Sequence, residues 1–160
     1  MTRTNKLTLM AMLITIGLVG AAFIWFPAGV ARAYPVQHAV NVIAAVILGP
    51  GPAVLAAFAI GLLRNLLGIG TILAFPGGMA GALLAGLAYR WIRKKPAAAA
   101  GEVIGTAVIG SLLAVPLAQF FLGQAAGVFF FIPAFFVSSA SGALLAWFIL
   151  SRIPESKLPK

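Results

Sequence analysis

The sequence predicts an all-α membrane protein, a bundle of six transmembrane helices with both termini in the cytoplasm. Apolar residues make up 62% of the 160 residues and charged residues only 8%, whereas an ordinary soluble domain has roughly 25% charged residues. Long uncharged stretches alternate with short segments rich in Gly and Pro, and most basic residues gather between the stretches. The chain has no Cys, which excludes a disulfide framework and a thiolate metal site.

The uncharged stretches divide into six candidate helices. A helix needs about 20 apolar residues to cross the hydrocarbon core of a bilayer. Breaks are predicted at residues 49–52 (GPGP), 68–78 (with GIG and FPGG) and 123–127 (GQAAG), because clustered Gly and Pro do not continue a helix. The predicted helices cover about residues 7–26, 37–48, 52–67, 78–93, 103–122 and 127–150. The second is short for a full crossing, so its outer end is expected below the membrane surface or against protein.

The basic residues predict the orientation of this bundle. Six spans place both termini on one side of the membrane. Nine of the eleven basic residues fall on that side, namely Arg3, Lys6, Arg90, Arg93, Lys94, Lys95, Arg152, Lys157 and Lys160. The positive-inside rule assigns it to the cytoplasm, so the net charge of +9 indicates membrane topology rather than a nucleic-acid-binding surface. We predict a multi-pass protein of the cell membrane with the lipid bilayer, and no nucleic acid, as a partner.

The N-terminal segment has a second interpretation. Arg3, Lys6, the apolar stretch and the A-R-A sequence at residues 31–33 together resemble a signal peptide with its cleavage site. The apolar stretch is longer than the about 7–15 residues typical of such peptides. Cleavage would also remove Ala11 and Thr15, part of a stripe of small residues that would allow another helix to approach closely in lipid. We therefore favour a retained first helix with an external docking surface.

Polar side chains from four segments are predicted to meet in the outer third of the bundle. Gln37, His38 and Asn41 are spaced to share one helical face. Burying Arg64 in lipid would cost about 2.5–3.5 kcal/mol, so it marks a functional site, unless it extends to the outer interface. The same level contains Asn65, Thr71, Phe75 and Gln119. Irregular backbone at membrane depth is tolerated where it lines a cavity, which fits residues 68–78.

Catalysis and metal binding are not expected, and no cofactor is predicted. One His, no Cys and two acidic residues do not supply a closed metal site. The sequence also lacks a carboxylate pair, a Ser/His/Asp set and a P-loop for ATP. Glu102 is predicted to open the fifth helix at its cytoplasmic end, near Lys94 and Lys95, where a carboxylate complements the helix dipole. We favour a structural role for Glu102 over coupling to a partner, and any transport needs an external energy source.

Three long stretches of the chain resemble one known family. They are YPVQHAVNVIAAVILGP, RNLLGIGTILAFPGGMAGALLAG and GEVIGT, in that order. Through them the chain is similar to the ThiW family over about residues 7–150. Members are the substrate-binding S-components of energy-coupling factor (ECF) transporters for the thiazole precursor of thiamine. The resemblance implies the six-helix bundle of the ECF S-component type, with a loop at about residues 26–36 that caps a ligand taken from outside.

The resemblance also implies partner proteins. An S-component docks on a transmembrane T-component driven by two cytoplasmic ATPase subunits, and is thought to topple in the membrane to release its ligand inward. Docking in this superfamily commonly uses an A-x-x-x-A pattern on the first helix. The nearest match here is Ala11-x-x-x-Thr15, and this departure leaves the docking register open.

The implied ligand is hydroxyethylthiazole, an aromatic ring with one hydroxyl and no fixed charge. Ring burial is expected against Phe75 and Tyr34. The groups that would orient the hydroxyl and the ring nitrogen are Gln37, His38, Asn41 or Asn65. Since a guanidinium pairs best with carboxylate or phosphate, Arg64 makes an anionic thiazole a second candidate ligand, unless it only holds the loop carbonyls. Two further functions stay open, an S-component for another small vitamin and a stand-alone passive channel or assembly factor.

Overall fold

The fold is mostly helical, as the sequence predicts. The computed structural model describes residues 1–29, 31–123, 125 and 127–158. The α-helices in this part of the chain are α1 (Arg3–Phe23), α2 (Pro35–Leu48), α3 (Pro50–Leu66), α4 (Ala74–Ile92), α5 (Lys95–Ile104), α6 (Ser111–Leu122) and α7 (Ile132–Ser151). A π-helical segment, Gly105–Gly110, joins α5 to α6 in one continuous helix. Gln124 and Ala126 of the predicted third break, and the basic Lys160, lie outside the described residues.

Three of these helices are long and apolar enough to cross a membrane. They are α1, the continuous helix Lys95–Leu122, and α7, while α2 and α3 are shorter apolar helices. Gly49, with a φ of 92°, makes the turn between α2 and α3. Pro50 opens α3 directly after it, because a proline in the first turn of a helix removes no intrahelical hydrogen bond. The predicted break at residues 49–52 is therefore confined to Gly49.

Two further helices begin at residues other than predicted. Helix α4 starts at Ala74. The predicted irregular segment covered residues 68–78, and its second half is therefore helical. Helix α5 starts at Lys95 rather than near residue 103, because Pro96 suits a first turn and the alanines after it have the highest helix propensity. As a result, Glu102 lies about two turns inside the helix. The prediction that it opens the helix is wrong.

The connections around α2 and α7 also differ from the prediction. A short antiparallel hairpin, β1 (Phe26–Ala28) and β2 (Ala31–Ala33), occupies part of the predicted loop at residues 26–36. Helix α7 begins at Ile132, after a turn, rather than near residue 127. A short 3-10 helix, Glu155–Lys157, follows α7.

Glycines bring α4 and the continuous helix into backbone contact. A Cβ atom at Gly101 would collide with the carbonyl oxygen of Leu84, and one at Gly105 would collide with that of Ala80. The two helices therefore pack at a distance that larger side chains would prevent, as is common between membrane helices. Glu102 lies within one helical turn of both glycines. The close packing therefore brings it against α4 and the neighbouring α2.

Candidate functional site

One cavity of about 870 Å³ lies where α2 begins and α3 ends. Its walls come from β2, the starts of α2 and α4, the end of α3 and the segment after it, the π-helical segment, the end of α6, and α7 with the residues just before it. The polar residues that line it are Arg32, Tyr34, Gln37, His38, Arg64, Thr71, Thr106 and Ser138. Its size falls within the range of about 300–1,000 Å³ that is typical of small-molecule sites. The described residues thus form a ligand-sized cavity with a few converging polar groups.

One wall of the cavity, which we call the arginine wall, consists of Tyr34, Gln37 and Arg64. Arg64 is only 3% exposed. Its Nη1 donates a hydrogen bond to Gln37 Oε1, and its Nη2 donates one to the carbonyl oxygen of Ile69 at 3.3 Å. The guanidinium carbon lies 3.6 Å from the centre of the Tyr34 ring, in a cation–π contact. The wall therefore holds a buried cation in a fixed orientation.

A second group of buried polar residues, which we call the carboxylate cluster, consists of His38, Asn41, Glu102 and Thr106. Glu102 is 0% exposed, and its Oε1 lies 2.7 Å from His38 Nδ1 and 3.0 Å from Asn41 Nδ2. Thr106 Oγ1 lies 3.2 Å from the same oxygen and 3.0 Å from the carbonyl oxygen of Gly77. Glu102 Oε1 accepts a hydrogen bond from the amide N–H of Asn41. Its second donor is the Nδ1–H of His38.

The position of Glu102 differs from the one that the sequence predicts. It was expected at the cytoplasmic end of a helix beside Lys94 and Lys95, but it is bonded to α2 in the interior of the bundle. Lys95 instead donates a hydrogen bond from Nζ to the carbonyl oxygen of Ile153, at 2.6 Å. The physical reason is the earlier start of α5, which moves the carboxylate away from the helix end and from the charges near it.

His38 connects the carboxylate cluster to the cavity. The residue lines the cavity and is 7% exposed, while its Nδ1 is engaged by Glu102. Its second ring nitrogen, Nε2, is the polar atom that remains for a ligand. With the Nδ1–H donated to Glu102, a neutral imidazole presents Nε2 as a hydrogen-bond acceptor. Glu102 therefore positions the group that a ligand would meet.

The structure brings together five of the nine predicted site residues. Those that line the cavity are Tyr34, Gln37, His38, Arg64 and Thr71. Asn41 is fully buried behind this surface, where its Nδ2 also lies 3.2 Å from the carbonyl oxygen of Gly78. Asn65 donates to the carbonyl oxygens of Gly61 and Thr71, at 2.8 and 3.1 Å, and so braces the segment after α3.

Phe75 and Gln119 do not line the cavity. The Phe75 ring packs on Phe58, with 5.5 Å between the ring centres, and on Gly61 of α3. Gln119 is exposed on α6. Phe75 was expected to bury the ligand ring, but it begins α4 on the side that packs against α3. The aromatic side chains available for this purpose are Tyr34, Phe130, Phe131 and Phe135.

Sequence reasoning missed the contribution of the continuous helix and α7. Thr106 and Ser138 both line the cavity, and Ser138 Oγ accepts a hydrogen bond from the Tyr34 backbone N–H at 2.8 Å. This bond fixes the chain where α2 begins. The spacing of Ser138 and Gly142, four residues apart on α7, marks the face that packs on α2, since a Cβ at Gly142 would collide with the backbone of Pro35. That pattern predicted packing, but it could not indicate that the hydroxyl faces a cavity.

The comparisons with known proteins agree with the resemblance seen in the sequence. A family model described as "Thiamine-precursor transporter protein (ThiW)" matches residues 7–156, nearly the whole chain. A search of curated proteins found no significant match. A transporter family accords with the long apolar helices and with a cavity for a small molecule. The chain belongs to the ThiW family of thiamine-precursor transporter proteins.

Proposed function

We propose that this protein is the substrate-binding S-component of an ECF-type importer, and that it captures the thiazole precursor of thiamine, hydroxyethylthiazole, from outside the cell. The observation that carries the proposal is the ligand-sized cavity lined by Tyr34, Gln37, His38 and Arg64 in a chain of the ThiW family. A cavity of this kind suits binding, and the sequence contains no P-loop with which the chain could hydrolyse ATP itself. Uptake would be powered by a T-component and two cytoplasmic ATPase subunits.

The proposed topology has six spans and cytoplasmic termini. Counting Lys95–Leu122 as one helix, the described residues contain six α-helices, and the short α2 and α3 lie between longer ones. Nine of the eleven basic residues fall on the side of the termini in this arrangement, which the positive-inside rule assigns to the cytoplasm. The cavity, at the start of α2 and the end of α3, then faces outward, and the hairpin at its edge is the capping element.

The cavity accommodates an aromatic ring with polar substituents. Phe131 and Phe135 supply an apolar wall, with 5.9 Å between their ring centres, and Tyr34, just before α2, also lines the cavity. His38 Nε2 would accept a hydrogen bond from the ligand hydroxyl, and Gln37 would orient the ring nitrogen through its amide. The ring would supply most of the buried apolar area, while these polar groups would confer specificity.

Docking of the T-component is proposed on α1. Ala11 and Thr15 are both exposed, and Thr15 Oγ1 donates to the carbonyl oxygen of Ala11 at 3.0 Å, which hides the hydroxyl from lipid. Ala11 and Thr15 therefore present only small apolar groups, as close approach of a second helix at these two positions requires.

Calorimetry on the detergent-solubilised protein tests the proposal. The titrants are hydroxyethylthiazole, the hydroxymethylpyrimidine moiety of thiamine, and intact thiamine, all without ATP. We expect hydroxyethylthiazole to bind and the pyrimidine not to bind. Tight binding of a different vitamin would instead favour an S-component of other specificity, and no binding of any thiazole would refute the proposal.

Uptake by vesicles separates the proposed importer from a stand-alone channel. Labelled hydroxyethylthiazole should accumulate only when the protein is reconstituted with a T-component and both ATPases in the presence of ATP. Equilibration of the label across vesicles that contain this protein alone would favour a passive channel. A variant with Ala11→Leu should retain ligand binding in detergent but lose ATP-driven uptake, because a large side chain would obstruct the docking surface.

A further inference from the structure

Arg64 is a buried cation without an acidic partner. No carboxylate lies within 4 Å of its guanidinium among the residues that the structure describes. One of the two acidic residues in the sequence, Glu155, is exposed beyond α7. The other, Glu102, is engaged by His38 Nδ1 and accepts a hydrogen bond from Asn41 Nδ2. A charge that is 3% exposed is costly to leave uncompensated, so a counter-charge from a ligand is expected.

The guanidinium also has unused hydrogen-bond donors. Of its five N–H groups, one is donated to Gln37 and one to the Ile69 carbonyl. The Nε atom is buried and has no hydrogen-bond partner. Stacking on Tyr34 and the two bonds fix the plane of the group, so the remaining donors point in set directions. Two parallel N–H groups of a fixed guanidinium match the two oxygens of a carboxylate or phosphate.

The charge of the cavity lining favours the same kind of ligand. The described residues that line the cavity include two arginines and no acidic residue. The second arginine, Arg32, is exposed on β2, with its guanidinium carbon 4.0 Å from the centre of the Trp25 ring. A basic residue in the proposed capping hairpin and another inside the cavity would attract an anion and then bind it.

We infer that the cavity contains an anion subsite at Arg64, and that the site prefers a thiazole derivative with a carboxylate or a phosphate ester, which this residue binds, over the neutral alcohol. The inference rests on the proposed function, because it assigns the charge of the ligand and not the existence of the site. Neutral hydroxyethylthiazole would fill the aromatic part of the cavity but would leave the guanidinium unpaired. An anionic derivative satisfies both, with its ring against Phe131 and Phe135 and its charged group on Arg64.

Calorimetry with a matched set of ligands tests the inference on the full-length protein in detergent. The probes are hydroxyethylthiazole, its phosphate ester, and the acid in which its side-chain CH₂OH is replaced by a carboxylate, with acetate and inorganic phosphate as anions that lack the ring. We expect at least one anionic thiazole to bind about tenfold or more tightly than the neutral alcohol. The phosphate ester and the acid are then compared, and the one that binds more tightly identifies the anionic group.

Two substitutions complete the test. Arg64→Gln should lower the affinity for the anionic thiazole by at least about 30-fold, the lower range for loss of one partner of a buried charge pair, while neutral hydroxyethylthiazole still binds and so shows that the variant is folded. Arg152→Gln is the control, because Arg152 also lies over an aromatic ring, 4.9 Å from that of Phe148, but is exposed and does not line the cavity. It should leave all affinities unchanged.

The possible failures are distinguishable. The inference is overturned if wild type binds the neutral alcohol as tightly as both anionic thiazoles, or if Arg64→Gln retains the preference for the anion. In either case the proposed function survives. If acetate or inorganic phosphate binds as tightly as the thiazoles, the subsite does not belong to a thiazole site. If no thiazole of either charge binds, the proposed function itself fails, together with the inference.

Discussion

The arginine wall and the carboxylate cluster are both buried, but their charged groups differ in their partners and in their access to the cavity. In the carboxylate cluster, Glu102 finds its partners within the chain, on His38 and Asn41. In the arginine wall, Arg64 is held by neutral acceptors and retains a buried Nε–H without a partner. Each region also keeps buried polar atoms without a partner, Glu102 Oε2 and Asn41 Oδ1 in the cluster and Arg64 Nε in the wall, but only the wall has its charged group on the cavity lining. The comparison indicates that the cluster supports the site and the wall binds.

The largest expected effect is on stability, and it comes from the carboxylate cluster. Glu102→Ala should destabilise the protein by about 1–3 kcal/mol for each buried donor that is left unpaired, because His38 and Asn41 would both lose their shared acceptor. Thermal unfolding in detergent measures the change. Glu102→Gln, which keeps an acceptor oxygen of similar size, should lose less.

The matched control is Glu155→Ala, which removes the only other acidic residue of the sequence. Glu155 is exposed, so its removal should leave the unfolding temperature unchanged. If Glu102→Ala unfolds at the same temperature as wild type, the cluster does not support the bundle and the contrast between the two regions disappears.

The arginine wall could be predicted from the sequence, whereas the carboxylate cluster could not. Gln37 lies near the start of a helix that the sequence makes obvious, and an Arg in an apolar chain is conspicuous because its burial is costly. The pairing of His38 with Glu102 joins residues 64 positions apart. It depends on how α2 and α5 pack, and no local pattern encodes that packing.

The error over Glu102 had a specific cause. The fifth helix was predicted to begin where the uncharged stretch begins, just after Glu102, whereas α5 begins at Lys95 with Pro96 in its first turn. The π-helical segment, which places Thr106 beside Glu102 on the cavity side, has no simple sequence signature either. The mostly helical fold followed from the long apolar stretches, and the family followed from the three stretches that resemble ThiW proteins. Both predictions are confirmed.

A smaller effect is expected where the two regions meet, at His38. His38→Gln should weaken binding of hydroxyethylthiazole by about 0.5–1.5 kcal/mol, the usual net contribution of one hydrogen bond, because Nε2 is lost as an acceptor for the hydroxyl. Calorimetry against the alcohol and its O-methyl ether measures this. Wild type should prefer the alcohol, since the ether cannot donate a hydrogen bond, and the variant should bind the two more equally.

Asn41→Ser provides a comparison for His38 within the same cluster. Asn41 bonds to Glu102 and Gly78 but does not line the cavity. Its substitution should lower the unfolding temperature without changing the preference for the alcohol over the ether. An equal loss of that preference in both variants would show that His38 acts through the packing of the cluster rather than through contact with the ligand.

The smallest effect on stability is expected at Arg64 itself. Arg64→Gln removes the hydrogen bonds to Gln37 and Ile69, but it also removes an uncompensated buried charge. These contributions oppose each other, so the ligand-free protein should change by no more than about 1 kcal/mol, far less than in Glu102→Ala. Thermal unfolding with and without the anionic thiazole measures both parts of the prediction. The ligand should stabilise wild type, as any ligand that binds only the native state does, and should stabilise the variant much less. A large loss of stability without ligand would instead mean that Arg64 is a structural residue, and that the wall, like the cluster, supports the bundle rather than binds the ligand.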